Sequence, residues 1–215
     1  MNDEAPRERA SIIMLSDVVC PWCYVGLMEL EKLQENFPID VHWSPFLLDP
    51  TVPPEGRPQT PYNKPGDPPT PVEERAERLG IHFTRGRTFR PNSHLALEAA
   101  MYASEAGIDD KPLHRALYKA HFDDLEDVSD VDVLVRIGAE NGLNADELRD
   151  VLETRRYQEA VDDAIGWAQS IGVTAVPTFI IDERHGVVGA QEYEVLERVM
   201  LQLGYEKHPP VAADA

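Results

Sequence analysis

Cys20 and Cys23 are the only cysteines of the 215-residue chain, and they flank a Pro-Trp pair in Cys20-Pro21-Trp22-Cys23. Thiols at this spacing can hold half of a tetrahedral metal site or exchange with disulfides. A structural zinc site needs four ligands, and no second cysteine pair or His-x-x-x-His cluster supplies the missing ones. A secreted disulfide scaffold would carry more cysteines at wider spacing. Redox exchange remains, and it requires one thiol to ionise and the other to attack the resulting mixed disulfide.

The surrounding pattern places the pair for this chemistry. Leu27, Leu30, Leu33 and Phe37 recur at helical spacing from Pro21 onward and Pro38 closes the segment, so the cysteines lie at a helix N-terminus. Unpaired N–H groups and a positive partial charge there favour a thiolate at Cys20, the expected nucleophile. Cys23, one turn further in, is the expected resolving thiol. Pro21 suits the first helical position, where its missing N–H is no loss. Trp22 offers an exposed apolar face without charge. Asp17, three residues ahead of Cys20, pushes weakly against ionisation. With no His or Lys between the cysteines, the expected potential is moderate, inside the range of about −270 to −120 mV that such couples span.

The elements that hold this pair read as an α/β chain. Ser11 to Leu15 is a short apolar run, as for a strand buried on both faces, and Ile39 to Trp43 alternates as a second strand. Ten of 18 prolines lie between Pro45 and Pro71, which predicts a long irregular excursion, with a helix candidate at Val72 to Leu79 after it. Five helices are then predicted. The first is capped by Asn92 or Ser93 and runs to Gly107; the second runs from about Pro112 to Phe122. The third opens at Ser129 or Asp130, the fourth follows a capping box at Asn144, and the fifth starts near Tyr157 and buries Val161, Ile165 and Ala168. Strand character returns at Thr178 to Ile181, turns through Arg184-His185-Gly186 and continues at Val187-Val188. A last helix uses Val195, Leu196, Val199, Met200 and Leu203, and the polar tail from Glu206 is expected to fray. This order suits a mixed sheet with helices on both faces.

Val176-Pro177-Thr178, at the start of a predicted strand, is the second chemical signal. A cis proline there would leave adjacent backbone groups free to pair with an extended peptide. Taken together, Asp17-Val18-Val19-Cys20-Pro21-Trp22-Cys23-Tyr24-Val25-Gly26, Arg90-Pro91-Asn92-Ser93, Gly172 to Phe179 and Gly189-Ala190-Gln191 resemble the DsbA-like thioredoxin family, specifically its FrnE branch. The resemblance implies a thioredoxin-like mixed sheet with an inserted all-helical domain: residues 10–46 and 172–205 form the thioredoxin-like domain, 47–91 a proline-rich connection and 92–171 the insertion. It also implies disulfide oxidoreductase or isomerase activity, with Cys20 and Cys23 as the active pair and Pro177 as the family's cis-proline. The expected partners are protein or peptide thiols and disulfides, held by the N–H and C=O of Val176 over Trp22. The chain departs from periplasmic DsbA in lacking an export signal and a basic residue inside the motif.

The same superfamily includes kappa-class glutathione transferases and 2-hydroxychromene-2-carboxylate isomerases, which supply the alternative reading. They resemble this chain at Asn92, Gly189 and Gln191, a candidate thiol-ligand site, but commonly carry serine at the active position; Cys23 favours exchange. No cofactor is expected beyond the cysteine pair, with glutathione or another small thiol admissible as co-substrate, and no metal.

Charge narrows the remaining classes. The net charge of −19 repels nucleic acid and anionic lipid, so neither is an expected partner. Fifteen Arg but only five Lys stand against 39 acids, a balance open to two readings, solubility in high salt or ordinary acidity. Met1 to Arg9 is polar where a secretory signal would be basic and then apolar, and no run of 18 apolar residues occurs, so a cytoplasmic location is expected. His114 and His121 fit solvated or partly buried helix positions. Met101 and Tyr102 fit helical core spacing, and the acidic run Asp123 to Asp127 reads as a solvated loop with a weak calcium site conceivable. No nucleotide-binding glycine loop occurs.

Overall fold

A computed structural model describes residues 9–208. The residues preceding and following this range, on which the expectation about an export signal and part of the tail prediction rest, lie outside it. The central sheet has the order β2-β1-β5-β6. β1 (Ala10–Ser16) pairs in parallel with β2 (Ile39–Pro45), and the connecting α1 (Pro21–Asn36) packs back on the sheet as a crossover helix. β5 (Thr178–Ile181) pairs antiparallel with β1, bringing Met14 opposite Phe179 and Leu15 opposite Thr178. β6 (His185–Val188) closes the edge as a hairpin with β5. Ile12, Met14, Phe179 and Ile181 are buried on the face toward α1, whereas Ile13 and Ile180 share a groove with Trp167 of α7 (Gln158–Ser170) and with Ile171, which follows that helix, on the other. The strands' alternation thus explains why helices cover both faces.

α8 (Tyr193–Gln202) packs beside α1 through Leu196 and Met200. α3 (His94–Glu105), α4 (Lys111–Phe122), α5 (Val131–Glu140), α6 (Ala145–Glu153) and α7 follow one another between the two halves of the sheet. Two of their starts are capped by side chains: Asp130 accepts the N–H groups of Asp132 and Val133, and Asn144 accepts that of Glu147, one half of the capping box expected there; the N-cap side chains of α3, α4 and α7 make no such bond.

The helix expected at Val72 to Leu79 is α2 (Pro71–Arg78). Several other expectations need correction. The excursion contains a two-residue strand β3 (Arg57–Pro58) that pairs with β4 (Phe89–Arg90), so the proline-rich segment is clipped to the chain just before α3. The β5–β6 turn falls earlier than Arg184-His185-Gly186, because Asp182 and Glu183 adopt positive φ and Asp182 anchors the corner by accepting the N–H of Ser11 and the hydroxyl of Tyr205. Ile165 is only half-buried. The tail is held as far as it is described: Tyr205 is buried and the His208 N–H donates to the Asn36 carbonyl at 2.7 Å. His114 and His121 are buried, not solvated, because α4 lies deep among the helices. Among the described residues no helix is long and apolar enough to cross a membrane.

Candidate active site

Cys20 occupies the N-cap of α1 with extended backbone angles, and its carbonyl accepts the N–H groups of Cys23 and Tyr24. No side chain caps this helix and no acid stands in its first turn. The first-turn donors therefore face the Cys20 thiol without competition. The Cys20 thiol is lowered below the ordinary thiol range, first by the hydrogen bond from the Cys23 thiol and then by the N–H groups of Cys23 and Trp22, against burial and the charge of Asp17. Cys23 is fully buried and is raised well above that range by burial and by donating its thiol hydrogen bond to Cys20. The pair is thus polarised into one ionisable and one proton-holding sulfur.

Asp17 is not part of the acidic surface. Its side chain is fully buried and accepts N–H groups from Leu48 at 2.7 Å and Val19 at 3.2 Å, with a further hydrogen bond from Ser93. Burial raises its pKa above the usual carboxylate value. One carboxylate thereby ties the loop before Cys20 to the excursion and to the start of α3, and its charge opposes ionisation of Cys20 from close by. Tyr118 of α4, fully buried near both sulfurs and stacked on Tyr24 at 5.1 Å, is held neutral by burial.

The second half of the site comes from the loop before β5. The Val176-Pro177 bond is cis, and the Val176 carbonyl lies 3.7 Å from the Cys20 Sγ, within range of a thiol hydrogen bond. Gly26 of α1 allows this approach, since a Cβ at that position would stand 2.8 Å from the Pro177 Cγ. The Gly189 N–H donates to the Pro177 carbonyl at 2.8 Å, so Gly189 braces the same loop from β6. Trp22 is 38% exposed beside Cys20, as its position predicts.

The candidate thiol-ligand residues Asn92 and Gln191 are both hydrogen-bonded within the protein. Asn92 is engaged at both ends of its amide, accepting the His94 N–H at 2.8 Å and donating to the Val52 carbonyl at 2.7 Å. It starts α3 and clasps the excursion. Gln191 donates to the Val188 carbonyl within its own loop. Sequence reasoning also missed a groove of about 380 Å³ that runs from Val19 and Pro21 to the arginines at 85, 87 and 90, with Phe83 and Phe122 in its walls. The crowding of Arg85, Arg87 and Arg90 in an acidic chain was the available signal.

A model of the DsbA-like thioredoxin domain matches residues 11–200, which takes in both halves of the sheet and the helices between them. The chain belongs to the DsbA-like thioredoxin family. The uncharacterised protein YwbO of Bacillus subtilis is 30% identical over 191 residues, covering 88% of this chain and 94% of that protein. A solved structure described as a probable DsbA oxidoreductase of Streptomyces coelicolor has a TM-score of 0.77 at 29% identity, covering 96% of this chain and 94% of that one. The cytosolic disulfide reductase DsbM of Pseudomonas aeruginosa, solved with GSH, shares the fold with a TM-score of 0.62 at 18% identity, covering 89% of this chain and 99% of its own. The DsbA-like fold accounts for the helical block seated inside a thioredoxin-like sheet. Among the described residues no group of three or more His, Cys, Asp and Glu could hold a metal ion.

Proposed function

We propose that this DsbA-like protein is a thiol–disulfide oxidoreductase that acts through Cys20 and Cys23 on protein or peptide disulfides. The Cys20 thiolate attacks one sulfur of the substrate disulfide; a Cys20–substrate disulfide forms and the other substrate sulfur leaves as a thiolate. Cys23 loses its proton and attacks the Cys20 sulfur, releasing the second substrate thiolate. The substrate gains two electrons and the protein ends with a Cys20–Cys23 disulfide; the reverse sequence oxidises a dithiol substrate. The observation that carries this reading is the polarised pair at the N-terminus of α1 facing the Val176 carbonyl at 3.7 Å. An extended peptide bound along Val176 would present its sulfur to Cys20. Glutathione or another small thiol could return the pair to its starting state. We place the protein in the cytoplasm, since both cysteines belong to the exchange pair and none is left for the structural disulfides that oxidising compartments favour.

The test is Cys23→Ser, which removes the resolving attack and leaves Cys20 intact. It should accumulate mixed disulfides with a cysteine peptide, while Cys20→Ser accumulates none. Trapping by Cys20→Ser would reverse the roles. Full glutathione-dependent turnover in Cys23→Ser would favour the transferase or isomerase alternative, which needs no second thiol.

A further inference from the structure

The groove beside Cys20 has an asymmetry that disulfide exchange alone does not require. Three arginines line it, and two are paired with carboxylates: Arg85 with Glu73 at 2.8 Å, and Arg90 with Asp49 at 3.1 Å, an acid that Arg57 shares at 3.3 Å. Arg87 has no carboxylate partner among the described residues. Its Nη1 makes one long hydrogen bond of 3.4 Å to the Glu126 carbonyl, and its Nη2 is buried without any partner. In a chain with 39 acids, a half-buried guanidinium left unpaired is costly, because a buried cation without a hydrogen-bonded counter-ion forfeits its hydration uncompensated. Burial lowers Arg87 to about 10, so it stays cationic at neutral pH, and Asp127 attracts it only at a distance. His121, buried with its Nδ1 also unpartnered, lines the same groove.

We propose that this groove binds a carboxylate carried by the substrate of the exchange reaction, with Arg87 as the recognising residue and the Phe83 and Phe122 rings, 4.9 Å apart, holding the apolar body that bears it. This rests on the exchange reading above. Turning the Arg87 guanidinium toward the groove gives up only the 3.4 Å bond, which is near the limit of a hydrogen bond. The groove is lined by Val19 and Pro21, the two neighbours of Cys20, so a group seated there belongs to the molecule whose sulfur meets Cys20. Its volume of about 380 Å³ suits one ring or a short chain. The net charge of −19 penalises each further negative charge on a ligand, which favours a single carboxylate over a phosphate-rich group. The carboxylate could come from a small disulfide or from an acidic residue beside a peptide cysteine.

Binding is measured first without thiol chemistry, by titrating the Cys20→Ser, Cys23→Ser double variant with nitrobenzoate and with its neutral analogue nitrobenzamide. The acid should bind about tenfold or more tightly than the amide, and adding Arg87→Met should remove the difference while Arg87→Lys keeps part of it. Equal affinity for acid and amide, or a preference that survives Arg87→Met, overturns the proposal; the acid–amide comparison needs no arginine variant to fold. Kinetics follow with the reduced protein, comparing dithiobis(nitrobenzoate) with neutral dithiodipyridine. Arg87→Met should slow only the former, and an equal loss on both overturns the proposal. Failure of the wild type to react with either disulfide, with acid-selective binding intact, would sink the exchange reading and leave the groove standing. Peptide disulfides carrying Glu or Gln beside the cysteine separate the sources: an Arg87-dependent preference for Glu assigns the carboxylate to a peptide, and its absence beside intact nitrobenzoate binding assigns it to a small molecule.

Discussion

Gly26→Ala tests whether the approach of α1 to the Pro177 loop sets the geometry of the site. A Cβ at position 26 would lie 2.8 Å from the Pro177 Cγ and 3.2 Å from the Phe179 Cζ. Carbon atoms in contact rest at about 3.5–4.0 Å, so helix and loop must part by about 1 Å. Alanine gains about 1 kcal/mol over glycine inside a helix, whereas overpacking costs about 1–3 kcal/mol. The net effect is a loss of about 0–2 kcal/mol, or up to about 8 °C in melting temperature for a chain of this size. Gly166 supplies the control: it lies inside α7 with open space where its Cβ would stand, so Gly166→Ala should show the helix gain undiminished. The separation also carries Cys20 away from the Val176 carbonyl, now at 3.7 Å. A displacement of about 1 Å can cost up to about 10²-fold in rate, and at least a tenfold loss in exchange with a peptide disulfide is expected. Thermal melts and stopped-flow exchange would measure the two effects. If Gly26→Ala is stabilised as much as Gly166→Ala and exchanges at the wild-type rate, the contact does not govern the site.

Iodoacetamide should alkylate Cys20 well before Cys23, with a rate that titrates below the ordinary thiol range, since Cys20 accepts hydrogen bonds from the Cys23 thiol and from two backbone N–H groups while Cys23 is buried. Faster labelling of Cys23, followed by peptide mapping, would reverse the assigned roles. His94 should make the joint between α3 and α7 pH-dependent: its pKa is raised by the hydrogen bond to buried Glu98 and by Asp162 on α7. A raised folded pKa contributes stability that is complete below the unfolded value of about 6.5 and is lost as pH rises through the folded value. The melting temperature should therefore fall across that window in the wild type and flatten in His94→Gln; equal slopes in the two proteins would show that His94 is not the titrating group.

What was legible in the sequence follows from which interactions are local. The apolar period of Leu27, Leu30 and Leu33, with Pro21 at the first position and Pro38 at the end, reports a helix because its buried face is built from near neighbours. Cys20 could be assigned for the same reason, as its environment is largely the first turn of that helix. Partners distant in the chain left no such trace. Asp17 read only as a weak charge near Cys20, with no sign that Leu48 and Ser93 would fold around it, and nothing in the sequence joined Asn92 to Val52, 40 positions away. The pairing of β3 with β4 was invisible because two residues carry no period.

Arg87 is the sharpest case of this division. In sequence it is one of three arginines within six residues, with nothing to distinguish it from Arg85 or Arg90. Folding distinguishes them by supplying Glu73 to one and Asp49 to another, each from a separate part of the excursion, while α4 and its following turn bring His121 and a backbone carbonyl to Arg87 instead of a carboxylate. A neutral histidine and a weak carbonyl bond do not balance a guanidinium, which leaves room for the carboxylate of a bound molecule. The groove that contains this unbalanced charge is flanked by the neighbours of the reactive cysteine, which turns a local electrostatic deficit into a means of selecting what Cys20 meets.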